Sequence, residues 1–446
     1  MLSRGRTKLM LFVLTLFVIT GAEGDDRRDA DVSALDRFSR KSLLQQFDAD
    51  GDGRLNVSER KQIRDAFGGI DVPMLPPKPY QYIASAKPPW LTDYLRPTDN
   101  TPADNPVTDV GATLGRVLFY DRQLSRSNTI ACASCHHQQL GFSDPERFSV
   151  GYKGERTRRN AMSLANLRFT KLRGNHPGFF WDERAPTLEA QALMPIQDTI
   201  EMGMQLPQLE KKLAKLPYYP ALFERAFGTV AVSSEHVAKA IGQFMRSMES
   251  FDSRFDRAAA GSGGDFSKDF DQFTDDENLG KSLFIDGVAG IAEIGCAHCH
   301  MPPTFAMPKS FNNGLDLKYS DKGLGERNVA SNDVFTSNNN GKFKASSLRN
   351  IELTAPYMHD GRFKTLQQVV EHYSNRVQPH ENLGIAFNKE SSNAPPSSGF
   401  RLTSKQQAAL IAFLKTLTDK SFISDPRFAD PFVRVEAPKL LKKGSP

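Results

Sequence analysis

The sequence predicts a mostly α-helical protein of two related domains in tandem, preceded by a short helix-loop-helix unit. Three observations predict it. Apolar residues recur at helical spacing along most of the chain, with no run of alternating strands. An eight-residue pattern occurs twice, each copy ahead of a Cys-x-x-Cys-His sequence, and an acidic twelve-residue loop sits between two amphipathic stretches near the N-terminus. The 446 residues are 39% hydrophobic and 24% charged, which is ordinary globular composition and allows two or three domains with a sizeable core.

Residues 1–22 read as a secretory signal: Arg4, Arg6 and Lys8 give a basic start, residues 9–20 an apolar stretch, and Thr20-Gly21-Ala22 a small-residue cleavage site. Mature protein is expected from about Glu23, exported to the periplasm. The apolar stretch is 12 residues long, too short to span a bilayer, and no other segment reads as transmembrane. Three of the net +5 charges lie in this segment with no acid, leaving about +2, which gives no footprint for nucleic acid.

Residues 31–67 carry one apolar-periodic helix (Leu35, Phe38, Leu43, Leu44, Phe47), the acidic loop, and a second helix through Ile63 and Phe67. The loop fits the EF-hand template for Ca²⁺: side-chain oxygens of Asp48, Asp50, Asp52, Asn56 and Glu59 at positions 1, 3, 5, 9 and 12, Gly53 at 6, and the Arg54 carbonyl at 7. A single loop of this kind suits a structural or docking module better than a calcium switch.

Residues 68–104, continuing to about 108, are rich in proline and read as an extended linker. The diverged repeat follows: Leu114-Gly-Arg-Val-Leu-Phe-Tyr-Asp121 and Leu279-Gly-Lys-Ser-Leu-Phe-Ile-Asp286. It predicts two related domains, at 105–265 and 266–425, with a tail at 426–446. Helical patterns are expected at 188–194, 237–248, 366–373 and 406–417, and exposed Gly/Ser- or Ser/Pro-rich segments at 256–270 and 389–399.

An exported chain with four cysteines would ordinarily be disulfide-bonded. Here all four fall in two copies of one pattern, Cys132/Cys135/His136 and Cys296/Cys299/His300. Zinc needs four ligands in the right spacing, and a thioredoxin-like motif needs no adjacent histidine. Covalent haem explains both motifs: the thiols bond the vinyl groups and the imidazole projects onto the iron. Two haem c groups in class-c cytochrome-like domains are therefore expected. The occupant of each iron's sixth position then separates a catalyst from a carrier.

From about Asn105 to Ser421 the chain resembles the bacterial di-haem cytochrome c peroxidases, including the MauG-type enzymes that oxidise protein side chains. The repeat carries the resemblance, with Phe180-Trp-Asp-Glu-Arg-Ala-Pro-Thr-Leu-Glu189 through to Glu201-Met202, and Leu348-Arg-Asn-Ile-Glu-Leu-Thr-Ala-Pro-Tyr-Met-His-Asp-Gly361. It implies that peroxide reacts at the N-terminal haem and that the C-terminal haem transfers electrons. Glu201 matches the glutamate over the reactive haem, where a carboxylate serves as base and then acid. By the same resemblance Gln191 hydrogen-bonds the bound oxidant, Trp181 relays charge between the haems, and Asn160, Thr354 and Pro356 hold a Ca²⁺ between the domains. Read without the family, Glu201 ends a helix, Gln191 is a surface residue, Trp181 packs a core, and Asn160 and Thr354 are turn residues.

Two positions depart from the peroxidase pattern. Where a histidine after a glycine caps the resting reactive iron in family members that need prior reduction, this chain has Gly151-Tyr152, so that iron is expected to be open. His176 is the substitute ligand to consider, and His137 reads as a polar surface residue beside the proximal ligand. The methionine expected 17 residues beyond Pro356 is Tyr373, the residue type MauG-type enzymes carry there. A phenolate ligand favours the oxidised states of iron; Met358 and Met301 are the alternative sulfur donors.

The expected function is reduction of hydrogen peroxide to water with electrons from a small redox protein, a cytochrome c or cupredoxin. A MauG-like enzyme acting on side chains of a partner protein is the alternative. A non-catalytic di-haem electron carrier and a calcium-dependent binding module with structural haems are rivals from other classes.

Overall fold

The structure is a computed structural model, and it describes residues 34–83, 87–171, 178–288, 295–327, 329, 338–387 and 399–435. The expected signal segment, His176, most of the 389–399 segment and the end of the tail lie outside the described residues. Among the described residues no helix is long and apolar enough to cross a membrane.

The repeated octapeptide is explained by one helix crossing used twice. Helix α4 (Asp109–Tyr120), capped by the Thr108 hydroxyl on Gly111 N–H at 3.0 Å, packs on α8 (Ser234–Ser247). Helix α10 (Asp275–Asp286), held by a capping box between Thr274 and Glu277, packs in the same way on α12 (Ser404–Lys415). The glycine of each repeat sits at the crossing. A Cβ on Gly115 would lie 2.0 Å from the Ala240 carbonyl, and one on Gly280 would lie 2.0 Å from that of Ala409. The shared Leu-Phe pair then enters the cores: Leu118 and Phe119 beside Phe142 and Phe244, Leu283 and Phe284 beside Phe305 and Phe413.

Between these crossings the first half adds α5 (Leu188–Gln197), α6 (Leu206–Leu213) and α7 (Tyr219–Phe227), and the second adds α11 (Leu366–Glu371). The only named strands among the described residues are β1 (Ser310–Phe311) and β2 (Phe343–Lys344), an antiparallel pair. The mostly helical, tandem architecture is as expected.

The segment expected to be exposed at 256–270 differs in part. Helix α9 (Arg254–Gly261) begins there, and Phe255, Ala258 and Ala259 are buried in the second core. Apolar residues at i, i+3 and i+4 outweigh the small-residue composition, and the Ser253/Asp256 capping box starts the helix.

At the N-terminus α1 (Arg40–Phe47) and α2 (Val57–Ala66) flank the acidic loop, and the helical stretch expected before it is broken ahead of α1 by a turn and a bridge from Ser39 to Leu75. Phe38 packs at 5.8 Å on Tyr218, whose hydroxyl donates to buried Asp121 at 2.9 Å. The proline-rich stretch includes α3 (Pro89–Leu95), and it buries Val72, Leu75, Tyr82, Leu91 and Leu95. Residues 428–433 return to this stretch and to α4: Val433 N–H donates to Val72 O, Tyr120 Oη to Phe428 O at 2.6 Å, and Arg116 Nε to Ala429 O at 2.7 Å.

Candidate active site

Each Cys-x-x-Cys-His forms a single 3-10 turn that ends with its histidine facing a cavity. In the first motif (turn Cys132–Ser134), His136 Nδ1 lies 2.8 Å from the Phe142 carbonyl. In the second (turn Cys296–His298), His300 Nδ1 lies 3.1 Å from Ser346 O and 3.3 Å from Phe305 O. Engaging Nδ1 with a carbonyl fixes the tautomer and leaves Nε2 for an iron. All four thiols are unpaired with one another, and burial pushes each up to about 12. Burial also holds His300 down at about 4, so its imidazole is neutral, as a metal ligand must be. Neutral, oriented imidazoles and paired thiols at apolar cavities fit covalent haem at both motifs.

The first cavity, of about 400 Å³, brings together His136, Gln191, Glu201 and Trp181. Gln191 rides on α5, which is anchored by Glu189: its carboxylate takes Arg246 Nη1 at 2.6 Å and Asn105 Nδ2 at 2.7 Å. Glu201 sits in the turn after that helix, its N–H on Asp198 Oδ1 at 3.1 Å and its carbonyl accepting Tyr152 N–H at 3.0 Å. That approach needs a glycine at 151, where a Cβ would meet the Ile200 carbonyl at 1.7 Å. Burial foremost, then the Asp198 carboxylate, raises the Glu201 carboxyl to about 7, with Arg184 pulling the other way.

Tyr152 itself lines a separate surface hollow with Arg126, Lys153 and Gly203. A Cβ on Gly203 would lie 2.4 Å from its ring, so the phenol is stacked there, away from the cavity. Among the described residues His136 is the only histidine lining the first cavity. His137 is half-buried beside it and lines neither haem cavity.

Trp181 lines both cavities and is clamped from both halves of the chain: its Nε1 donates to Asn160 O at 2.8 Å, and its carbonyl accepts Lys344 N–H at 2.9 Å. The loop bearing it is strained, with Phe180 at φ 71° and Glu183 at φ 56°. Arg159 braces it through Asp182 at 2.7 Å while reaching Asp321 on the other side at 2.7 Å.

The second cavity, of about 220 Å³, holds His300, Tyr373 and Met358. Asn313 Nδ2 touches both candidate donors, donating to Tyr373 Oη at 3.2 Å and lying 3.6 Å from Met358 Sδ. Burial drives the Tyr373 phenol well above its ordinary value, with the Asn313 hydrogen bond opposing. Met301 lines the first cavity and is 38% exposed, so it is not a donor to the second. Asn160, Thr354 and Pro356 all line the second cavity. The Asn160 amide nitrogen is spent on the carbonyls of Glu146 and Arg147, both at 3.2 Å, which leaves its oxygen available to a cation.

In the N-terminal loop the carboxylates of Asp48, Asp50 and Asp52 lie within 4.8 Å of one another. Gly53 N–H donates to Asp48 Oδ2 at 2.9 Å, with Gly53 in the left-handed conformation at φ 75°. Asn56 caps α2, and buried Glu59 accepts Ala49 N–H at 2.9 Å and Asn56 N–H at 2.8 Å.

Sequence reasoning passed over Lys344 and Asn313. Asn313 stands beside a glycine in a polar stretch and Lys344 between phenylalanine and alanine in a stretch that reads as a loop, and no local signal marks Lys344 as buried or Asn313 as facing a cavity.

The model for the di-haem cytochrome c peroxidase family matches residues 109–263 and 274–418. The chain belongs to this family. It is an oxidoreductase of the di-haem peroxidase type, with two c-type haems. The methylamine utilization protein MauG of Methylorubrum extorquens is 32% identical over 71% of this chain and 80% of its own length. A cytochrome c551 peroxidase of Nitrosomonas europaea is 32% identical over 69% and 79%. A solved MauG-like protein associated with microbial copper homeostasis superposes with a TM-score of 0.60 at 34% identity, covering 75% of this chain and 97% of that one.

Proposed function

We propose that the protein is a periplasmic enzyme that reduces hydrogen peroxide to water with electrons from a small cytochrome c or cupredoxin. The first Cys-x-x-Cys-His would hold the reactive haem and the second the electron-transfer haem, the two domains spanning 105–265 and 266–425. The observation that carries this reading is a cavity shared by one histidine, Glu201 and Gln191. When bound, the haem supplies an iron that coordinates small oxygen ligands and exchanges electrons with them. Glu201 moves the proton: its carboxylate takes one from peroxide and, as the acid, gives it to the departing oxygen, which leaves as water. A carboxyl held at about 7 is suited to both directions. Gln191 orients the peroxide by hydrogen bonding, and Trp181 couples the two cavities.

MauG-like oxidation of side chains on a partner protein is the second reading. It is favoured by Tyr373 at the second cavity and by Tyr152 lying away from the first. We assign Ca²⁺ to the loop Asp48, Asp50, Asp52, Arg54, Asn56 and Glu59, as an EF-hand-like docking module, and a second Ca²⁺ to Asn160, Thr354 and Pro356.

The experiment mixes the fully oxidised protein with hydrogen peroxide in a stopped-flow spectrometer and then adds reduced cytochrome c. Rapid reaction without prior reduction, followed by cytochrome turnover, is expected. Reaction without turnover would favour the partner-protein reading, and no reaction until one haem is reduced would mean that an unseen residue caps the first iron.

A further inference from the structure

Lysine is almost never fully buried without a partner, yet Lys344 is 6% exposed on the wall between the two cavities and lines both. Its Nζ donates to the Gly178 carbonyl at 2.7 Å and rests 4.8 Å from the centroid of the Phe179 ring. An ammonium carries three donors, and among the described residues only the Gly178 carbonyl accepts from it. Among the described residues no carboxylate lies within ion-pair distance of it. Glu183 acts on it only at longer range, with its own Oε1 taken by the Ser310 hydroxyl at 2.7 Å. Desolvating a charge this thoroughly is unfavourable unless an anion completes the site.

Of the other cations lining the first cavity, Arg159 is committed to Asp182, Asp321 and Glu326, and Arg184 to Asp182 and the Phe180 ring, while Arg158 is exposed and Lys171 half-buried. Phe179, under the ammonium, lines the first cavity and not the second. A haem carries two propionate carboxylates. We propose that Lys344 is the counter-ion of a propionate of the haem in the first cavity. It is a positioning residue, and its main-chain N–H on the Trp181 carbonyl ties that propionate to the bridge between the sites. The proposal rests on the reading that Cys132, Cys135 and His136 hold a haem. Without the ammonium, an unneutralised carboxylate near the iron favours ferric over ferrous.

The test compares Lys344→Gln, which keeps a donor for Gly178 O, with Lys344→Arg, which keeps the charge. Lys344→Met is a second neutral variant should the glutamine disturb folding. Intact mass counts attached haems, and spectroelectrochemical titration follows the high-spin and low-spin haems separately. Two haems are expected in every variant. At fixed ambient potential the ferrous-to-ferric ratio of the first haem should fall about tenfold in the neutral variants, about 59 mV for a one-electron couple, and stay within about threefold of the parent in the arginine variant. A ratio unmoved in both neutral variants, or a shift confined to the second haem, overturns the proposal. A parent protein whose mass shows no haem at Cys132 and Cys135 would instead sink the underlying site reading.

Discussion

Replacing Glu201 by glutamine should make the protein a worse enzyme and a more stable fold. The carboxyl is held at about 7 against a reference of 4.5, so at pH 7 roughly half of the molecules carry the carboxylate that the proposed mechanism needs to accept peroxide's proton. The rate of reaction between the oxidised protein and peroxide should therefore rise with pH through about 7 and level off above it. Stability runs the other way. The folded carboxyl keeps a proton that the unfolded chain releases near 4.5, so stability falls as pH climbs between those two values. The gap is worth on the order of 3 kcal/mol, less whatever solvent contact the carboxyl retains. The Glu201→Gln variant removes both the proton shuttle and that cost. Stopped-flow should show peroxide reaction slowed by about 10²–10⁴ with the pH dependence gone, and urea titration at pH 8 should show a higher midpoint than the parent. A variant reacting as fast as the parent, or a parent rate flat from pH 5 to 9, would refute Glu201 as the proton shuttle.

Tyr373→Met should raise the potential of the second haem, measured by spectroelectrochemistry, because thioether sulfur stabilises the reduced metal; an unchanged potential would remove Tyr373 from the ligand set. Gly280→Ala drives a methyl into the Ala409 carbonyl and should cost about 1–3 kcal/mol or more, read as a lower denaturant midpoint, whereas alanine at Gly261, whose Cβ would meet only Gln272 Nε2 at 3.9 Å, meets no such clash. Asp48→Ala with Glu59→Ala should lower bound calcium by one equivalent in titration calorimetry while peroxide kinetics stay unchanged. Retained stoichiometry would show that the acidic loop is no cation site.

What the sequence makes legible here is what repeats or what chemistry constrains tightly. The Leu-Gly-x-x-Leu-Phe pattern is visible because two helix crossings impose the same need for a missing Cβ at Gly115 and Gly280. The attachment motifs are visible because two thiols and an imidazole must share one turn. Lys344 leaves no such mark: a lysine between phenylalanine and alanine, two residues after another lysine, looks solvent-facing until Gly178 and Phe179, far away in sequence, close over it. Helix α9 was obscured by its alanines and glycine, which read as a spacer although Phe255 and Ala259 form a buried stripe. The outward turn of Tyr152 depends on Gly203, a contact with no sequence signature.

The return of the chain's end onto the first domain bears on how the protein is made. Phe428 and Phe432 complete a core begun by Phe119 and Phe142, some three hundred positions earlier. Synthesis runs from the N-terminus, so Cys132 and Cys135 emerge long before those phenylalanines do. Until then the domain that carries them lies open along one side of its core. Closure waits for the last stretch of polypeptide, so a chain cut short after residue 418 would carry both attachment motifs and still leave its first core unsealed.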